Sequence, residues 1–78
     1  MKRVLIAEDE QLLAELYKTN LESEDFAVDV VFDGKAAIDK MKKRSPDLLL
    51  LDLLMPGTDG FAVLEWLHEK HKKKKSKN

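Results

Sequence analysis

Two runs of unbroken apolar residues, Val4-Leu5-Ile6-Ala7 and Leu48-Leu49-Leu50-Leu51, each end abruptly at acids, Glu8-Asp9-Glu10 in the first case and Asp52 in the second. A strand with one wet face alternates apolar and polar residues, so a short run apolar throughout belongs to a strand covered on both faces, as in parallel sheets. After the first run the period changes. Leu12, Leu13, Leu16, Tyr17 and Leu21 fall on one helical face, which predicts a helix from Gln11 to about Glu24. Residues 27–32 are rich in β-formers, and Asp33-Gly34 then punctuates the chain, with Asp33 placed to cap a helix through Ala36, Ala37, Ile38 and Met41. Lys42, Lys43 and Arg44 put positive charge at the negative pole of that helix, and Ser45-Pro46 stops it.

The second apolar run gives a third strand, and Pro56, Gly57, Asp59 and Gly60 supply turn chemistry after it. Phe61, Val63, Leu64 and Leu67 form the stripe of a third helix from about Gly60 towards the lysine-rich end, with Asp59 as its cap and Trp66 off the stripe. Strand and helix thus alternate three times, the pattern of an α/β domain with a parallel sheet and right-handed crossovers.

With 44% hydrophobic and 37% charged residues, 78 positions suit one small globular domain, and the absence of cysteine excludes a disulfide scaffold. The apolar run after Met1-Lys2-Arg3 is too short for a signal peptide, and nothing approaches the roughly 20 residues of a membrane span, so no membrane partner and a cytoplasmic location are expected. The net charge of −1 hides an asymmetry: all acids lie in residues 1–69, while residues 70–78 add six lysines. We read residues 1–69 as the domain and 70–78 as a solvated Lys-rich tail. Nucleic acid is not expected as a partner, because neither interleaved aromatics nor an amphipathic stripe accompanies these lysines.

In open parallel sheets ligands bind beyond the carboxyl ends of the strands, and Glu8, Asp9 and Asp52 are all delivered there. A single acid at a strand end is commonly just a polar residue entering a loop. The joint pattern, an acidic pair after one apolar strand, a lone acid after the next, then Met55-Pro56-Gly57 and Asp59-Gly60, asks for more. Converging carboxylates repel unless a hard cation neutralises them, and an oxygen donor set with open water positions favours Mg²⁺. An ionised aspartate beside Mg²⁺ can attack a phosphoryl group, and Asp52 is the candidate. His68 and His71 share a helical face but find no third ligand in the sequence, so they read as surface residues; Tyr17, Phe61 and Trp66 read as core or core-edge aromatics. No Gly-rich nucleotide cradle and no Ser/His/Asp or Cys/His set is present.

The stretches Val4 to Glu10, Asp33-Gly34-Lys35-Ala36-Ala37-Ile38 and Pro46-Asp47-Leu48 through Gly60 resemble the receiver domains of two-component response regulators, over Lys2 to about Leu67. The resemblance implies a flavodoxin-like sheet of strand order 2-1-3, Asp52 as phosphoacceptor, and Mg²⁺ held by Asp52, Asp9 and the backbone carbonyl of Leu54, with Glu8 acting through water in the outer shell. It implies a sensor histidine kinase or a small phosphodonor as partner, and a phosphoacceptor rather than an enzyme. The family has five βα units, and this sequence runs to the third. Without the later Ser/Thr and Lys positions, phosphorylation is expected to be impaired. Such a truncation also leaves the third strand as an edge and uncovers leucines beside the first helix, so a homodimer through that strand and sheet face is expected. The alternative function is a phosphorylation-incompetent, natural or engineered, structural fragment that self-associates in this way.

Overall fold

A computed structural model describes residues 1–55 and 60–75. Its elements are β1 (Arg3–Ala7), α1 (Gln11–Ser23), β2 (Ala27–Val31), α2 (Gly34–Lys43), β3 (Leu48–Leu51) and α3 (Gly60–Lys75). The three strands form a parallel sheet in the order β2-β1-β3, with Arg3 to Ala7 opposite Ala27 to Val31 and Val4 to Ala7 opposite Leu48 to Leu51. The expected α/β fold with order 2-1-3 is therefore present. Among the described residues no helix is long and apolar enough to cross a membrane.

Strand alternation sorts the core into two layers. Leu5 and Ala7 point to the side where Ala37 and Met41 of α2 and Val63 of α3 are buried, joined by Met55. Val4 and Ile6 point the other way, against Ala14 of α1, with Tyr17, Leu21, Phe26, Val28 and Val30 around them. Only β1 is buried on both faces. The expectation of two-sided burial fails for β3, whose Leu49 and Leu51 pack on the α2/α3 layer while Leu48 and Leu50 are 52% and 38% exposed. The reason is dimensional. A helix roughly 10 Å across covers about two strands spaced ~4.8 Å apart, and α1 sits over β1 and β2. The uncovering anticipated beside α1 is thus found at Leu48 and Leu50.

The same placement corrects two apolar stripes. On α1, Ala14 is buried and Tyr17 and Leu21 pack, but Leu12 and Leu16, expected on the packed face, are exposed on the flank. On α3 the packed residues are Val63, Trp66 and Leu67, whereas Phe61 and Leu64 face outward. Trp66, expected off the stripe, belongs to it, because Val63, Trp66 and Leu67 at i, i+3 and i+4 share one face. Phe61 is consequently not a core aromatic. The strand β2 ends one residue early, leaving Phe32 exposed.

Local chemistry explains the helix ends. The Asp33 carboxylate accepts the Ala36 N–H at 2.7 Å, the cap expected from the sequence. After α1 the Phe26 N–H donates to the Leu21 carbonyl at 3.2 Å and the Asp25 N–H to that of Glu22 at 3.1 Å, with Asp25 in the left-handed region at φ 69°. This is a Schellman closure, sealed by Leu21 and Phe26 in the same apolar cluster. The expected cap of α3, Asp59, and the turn residues Pro56 and Gly57 lie outside the described residues. The helix α3 itself crosses residue 70 without a break and reaches Lys75. Replacing Asp33 with alanine removes the acceptor at the α2 N-terminus. A loss of about 1 kcal/mol is expected, measured as a lower urea midpoint at unchanged slope.

Candidate functional site

The site follows from register. Ala7 is level with Leu51, so the next residues, Glu8 and Asp52, leave neighbouring parallel strands side by side. Two backbone bonds extend the ladder into the acids, Asp52 N–H to the Ala7 carbonyl at 2.9 Å and Glu8 N–H to the Val31 carbonyl at 3.1 Å. Two residues beyond Ile6 and Leu50 respectively, Glu8 and Asp52 fall on the α1 face, where with Tyr17, Leu50 and Leu51 they line a cleft of about 190 Å³. Asp9 completes the cluster: one carboxylate oxygen from each of Glu8, Asp9 and Asp52 lies within 4.8 Å of the others.

The three acids are unequal. Glu8 is 7% exposed, the buried charged residue of the core, whereas Asp9 is exposed and Asp52 half-buried. Burial raises the Glu8 pKa above its ordinary 4.5; the Glu10 N–H, donated to Oε2 at 3.1 Å, opposes this, and the Asp9 and Asp52 carboxyls add to the rise. Asp52 is driven the other way, below 3.8, chiefly because the Leu54 N–H donates to its Oδ1 at 3.0 Å, with the neighbouring Glu8 and Asp9 carboxyls acting in the same direction. The two carboxyls are thus driven in opposite directions, Glu8 towards the protonated form and Asp52 towards the ionised one. Environments that push neighbouring carboxyls apart in this way divide their chemical roles.

Among the described residues no side-chain cation answers this charge. The ion pairs among the described residues, Arg3 with Asp29 and Lys35 with Asp39, do not include a cluster residue. The donor set is all oxygen, hard and partly open to solvent, which fits a divalent ion such as Mg²⁺ that keeps several waters. The histidines take no part: His68 and His71 are exposed on α3, away from the grouped acids.

Three contributors were not legible as site residues. Tyr17, expected only at the core edge, walls the cleft. Glu10 supplies the N–H that orients Glu8. Gly60 allows α3 to abut the loop after β3: a Cβ there would lie 2.5 Å from the Asp52 carbonyl oxygen and against the Leu53 Cα, and the Gly60 N–H donates to the Leu53 carbonyl at 3.3 Å. Backbone meets backbone at this point, so any side chain must displace the segment that carries Asp52. A glycine at the first residue of a helix was the sole available signal, and it is ambiguous between turn and close approach.

Comparison with known proteins agrees with this fold. Residues 4–76 match the model of the response regulator receiver domain family. The response regulator ArlR of Staphylococcus saprophyticus is 38% identical over 69 residues, covering 88% of this chain and 31% of that protein, so the chain spans about a third of this relative. The receiver domain of a Francisella response regulator superposes with a TM-score of 0.86 at 31% identity, over 91% of this chain and 59% of that one. The response regulator TrrA of Thermotoga maritima, solved in complex with Mg(2+)-BeF, gives 0.86 at 36% identity, over 92% of this chain and 63% of that one. Sequence and fold agree, and the chain belongs to the response regulator receiver domain family of two-component systems.

Proposed function

We propose that the chain is a phosphorelay receiver module that accepts a phosphoryl group on Asp52. The observation that carries this reading is the convergence of Glu8, Asp9 and Asp52 at one sheet rim, with Asp52 the carboxyl held ionised. Asp9 and Asp52 would hold Mg²⁺ directly, Glu8 through a water, and the Leu54 backbone carbonyl would add a further oxygen. When bound, the ion supplies positive charge against the phosphoryl oxygens. An Asp52 oxygen attacks phosphorus in line, and the bond to the donor breaks with its electron pair leaving on the donor, a histidine nitrogen of a sensor kinase or an oxygen of a small phosphodonor. The Leu54 N–H holds one Asp52 oxygen, orienting the carboxylate for that attack. The protein is then a phosphoacceptor, at most assisting its own phosphorylation and dephosphorylation, and it works in the cytoplasm with its kinase.

The TrrA neighbour bound to Mg(2+)-BeF supports this reading by its likeness in fold. Among the described residues no lysine pairs with the cluster, so transfer is expected to be slow. Incubation with Mg²⁺ and acetyl phosphate should add one phosphoryl group to the wild-type chain by intact mass, and none to Asp52→Asn. Equal labelling of the two, or no labelling and no response to beryllofluoride, removes the proposal.

Glu8 makes the pH dependence distinctive. Its raised pKa means that it keeps its proton to a higher pH than an ordinary carboxyl, and Mg²⁺ binding competes with that proton. Affinity is therefore expected to fall as pH drops through this raised value, before Asp52, whose pKa is lowered, is affected. Glu8→Gln should bind Mg²⁺ more weakly at neutral pH but with a flatter acid limb, measured by titration calorimetry.

A second reading rests on a separate observation: Leu48 and Leu50 are exposed in an apolar groove of about 260 Å³ that they line with Tyr17, Asn20 and Leu21, and Leu12 and Leu16 of α1 are exposed as well. In it the chain is a structural module that self-associates as a homodimer through β3 and this sheet face. Packing face to face is favoured over pairing of β3 edges, since Asp47 and Asp52 flank the strand and like charges would meet at both ends of either alignment. Sedimentation should then give a mass of two chains at micromolar concentration, reduced to one in Leu48→Glu with unchanged far-UV dichroism. A monomeric wild type rejects it.

A further inference from the structure

At the end of the sheet opposite the acids, the C-terminal halves of α2 and α3 splay over the start of β3 and leave a cleft of about 230 Å³. Buried Met41 and half-buried Leu49, Trp66 and Leu67 make it apolar, and Lys70 and His71 stand at its lip. None of the lining residues is acidic. The Lys70 ammonium lies 5.0 Å from the centroid of the Trp66 ring, a cation–π contact, and among the described residues it has no carboxylate partner. The sequence adds further positive charge, Lys42, Lys43 and Arg44 at the end of α2 and five more lysines after His71.

We propose that this cleft binds a small apolar carboxylate, with the hydrocarbon part between Met41, Leu49, Trp66 and Leu67 and the anionic head at Lys70. Size and charge select this occupant together. A cavity of about 150 Å³ admits a benzene ring, so the space suits one ring or a short acyl chain and falls below what drug-sized ligands occupy. A neutral guest would leave the ammonium with the ring alone, whereas a carboxylate adds a charge-assisted hydrogen bond to donors already held above Trp66. The remainder of the domain is acidic, which repels anions from other surfaces and confines them to this end.

Trp66 is the chain's single tryptophan, so its emission reports on this cleft without interference. Titration of the full chain with octanoate should give a saturable blue shift, and octanol, of equal chain length, should bind about fivefold more weakly, the scale of a solvent-accessible ion pair. Lys70→Gln, a change at the lip that leaves the packed residues intact, should abolish the preference while still binding both weakly. The Met41 methyl resonance should move with octanoate in both proteins, locating the guest. Equal affinity for acid and alcohol, a shift that never saturates, or a preference surviving in Lys70→Gln overturns the proposal. So does binding of an acidic peptide ending in an apolar residue when octanoate does not bind, which would make the cleft a protein-docking surface.

Discussion

Everything at the acidic rim depends on the in-phase parallel pairing of β1 and β3. Parallel strands end on the same side of a sheet, and the ladder that matches Ala7 with Leu51 puts the next residue of each strand side by side. A slip of one residue would turn Glu8 or Asp52 to the opposite face and separate the two carboxyls by a sheet thickness. Because both runs are apolar throughout, side-chain alternation does not choose this register; it is held by the backbone ladder, which the Asp47 N–H closes at one end on the Arg3 carbonyl at 2.8 Å and the Asp52 N–H at the other on the Ala7 carbonyl at 2.9 Å. Both hydrophobic layers reach the site, since Ala7 and Leu51 of one and Tyr17 of the other line the cleft beside Glu8 and Asp52.

Concentrating carboxylates has an electrostatic consequence that backbone donors only partly offset. The N–H groups of Glu10 and Leu54 each stabilise one anion, but burial of Glu8 and the absence of a neighbouring side-chain cation among the described residues leave net repulsion. The unequal pKa directions follow chiefly from the burial of Glu8 and from the Leu54 N–H on Asp52, and a divalent cation is the natural means of relieving the repulsion that remains. Lys40, Lys42 and Lys43 lie in the last turn of α2, which precedes β3 and so stands at the opposite end of the strands from the acidic cluster.

The sheet also carries an asymmetry of cover. Two helices protect one face and a single helix the other, and three strands are wider than one helix. That mismatch leaves Leu48 and Leu50 open to solvent and turns Leu12 and Leu16 of α1 towards an empty flank. Apolar area of this kind is the surface from which association proceeds when any complementary face is present.

The sequence alone was sufficient for the order and type of the elements, the strand limits to within a residue or so, the Asp33 cap and the rim on which Glu8, Asp9 and Asp52 meet. Each of these depends on local periodicity, on a short-range hydrogen bond, or on the rule that parallel strands end together. It misplaced Leu12, Leu16, Phe61, Leu64 and Trp66, for a helix sequence marks an apolar arc but does not say which part of the arc a neighbour will cover. Nor could it assign Gly60 its role against Asp52 and Leu53, or distinguish Glu8 from Asp52 in acidity. Those properties arise from burial and from backbone segments brought together across the fold, and only the tertiary structure decides them.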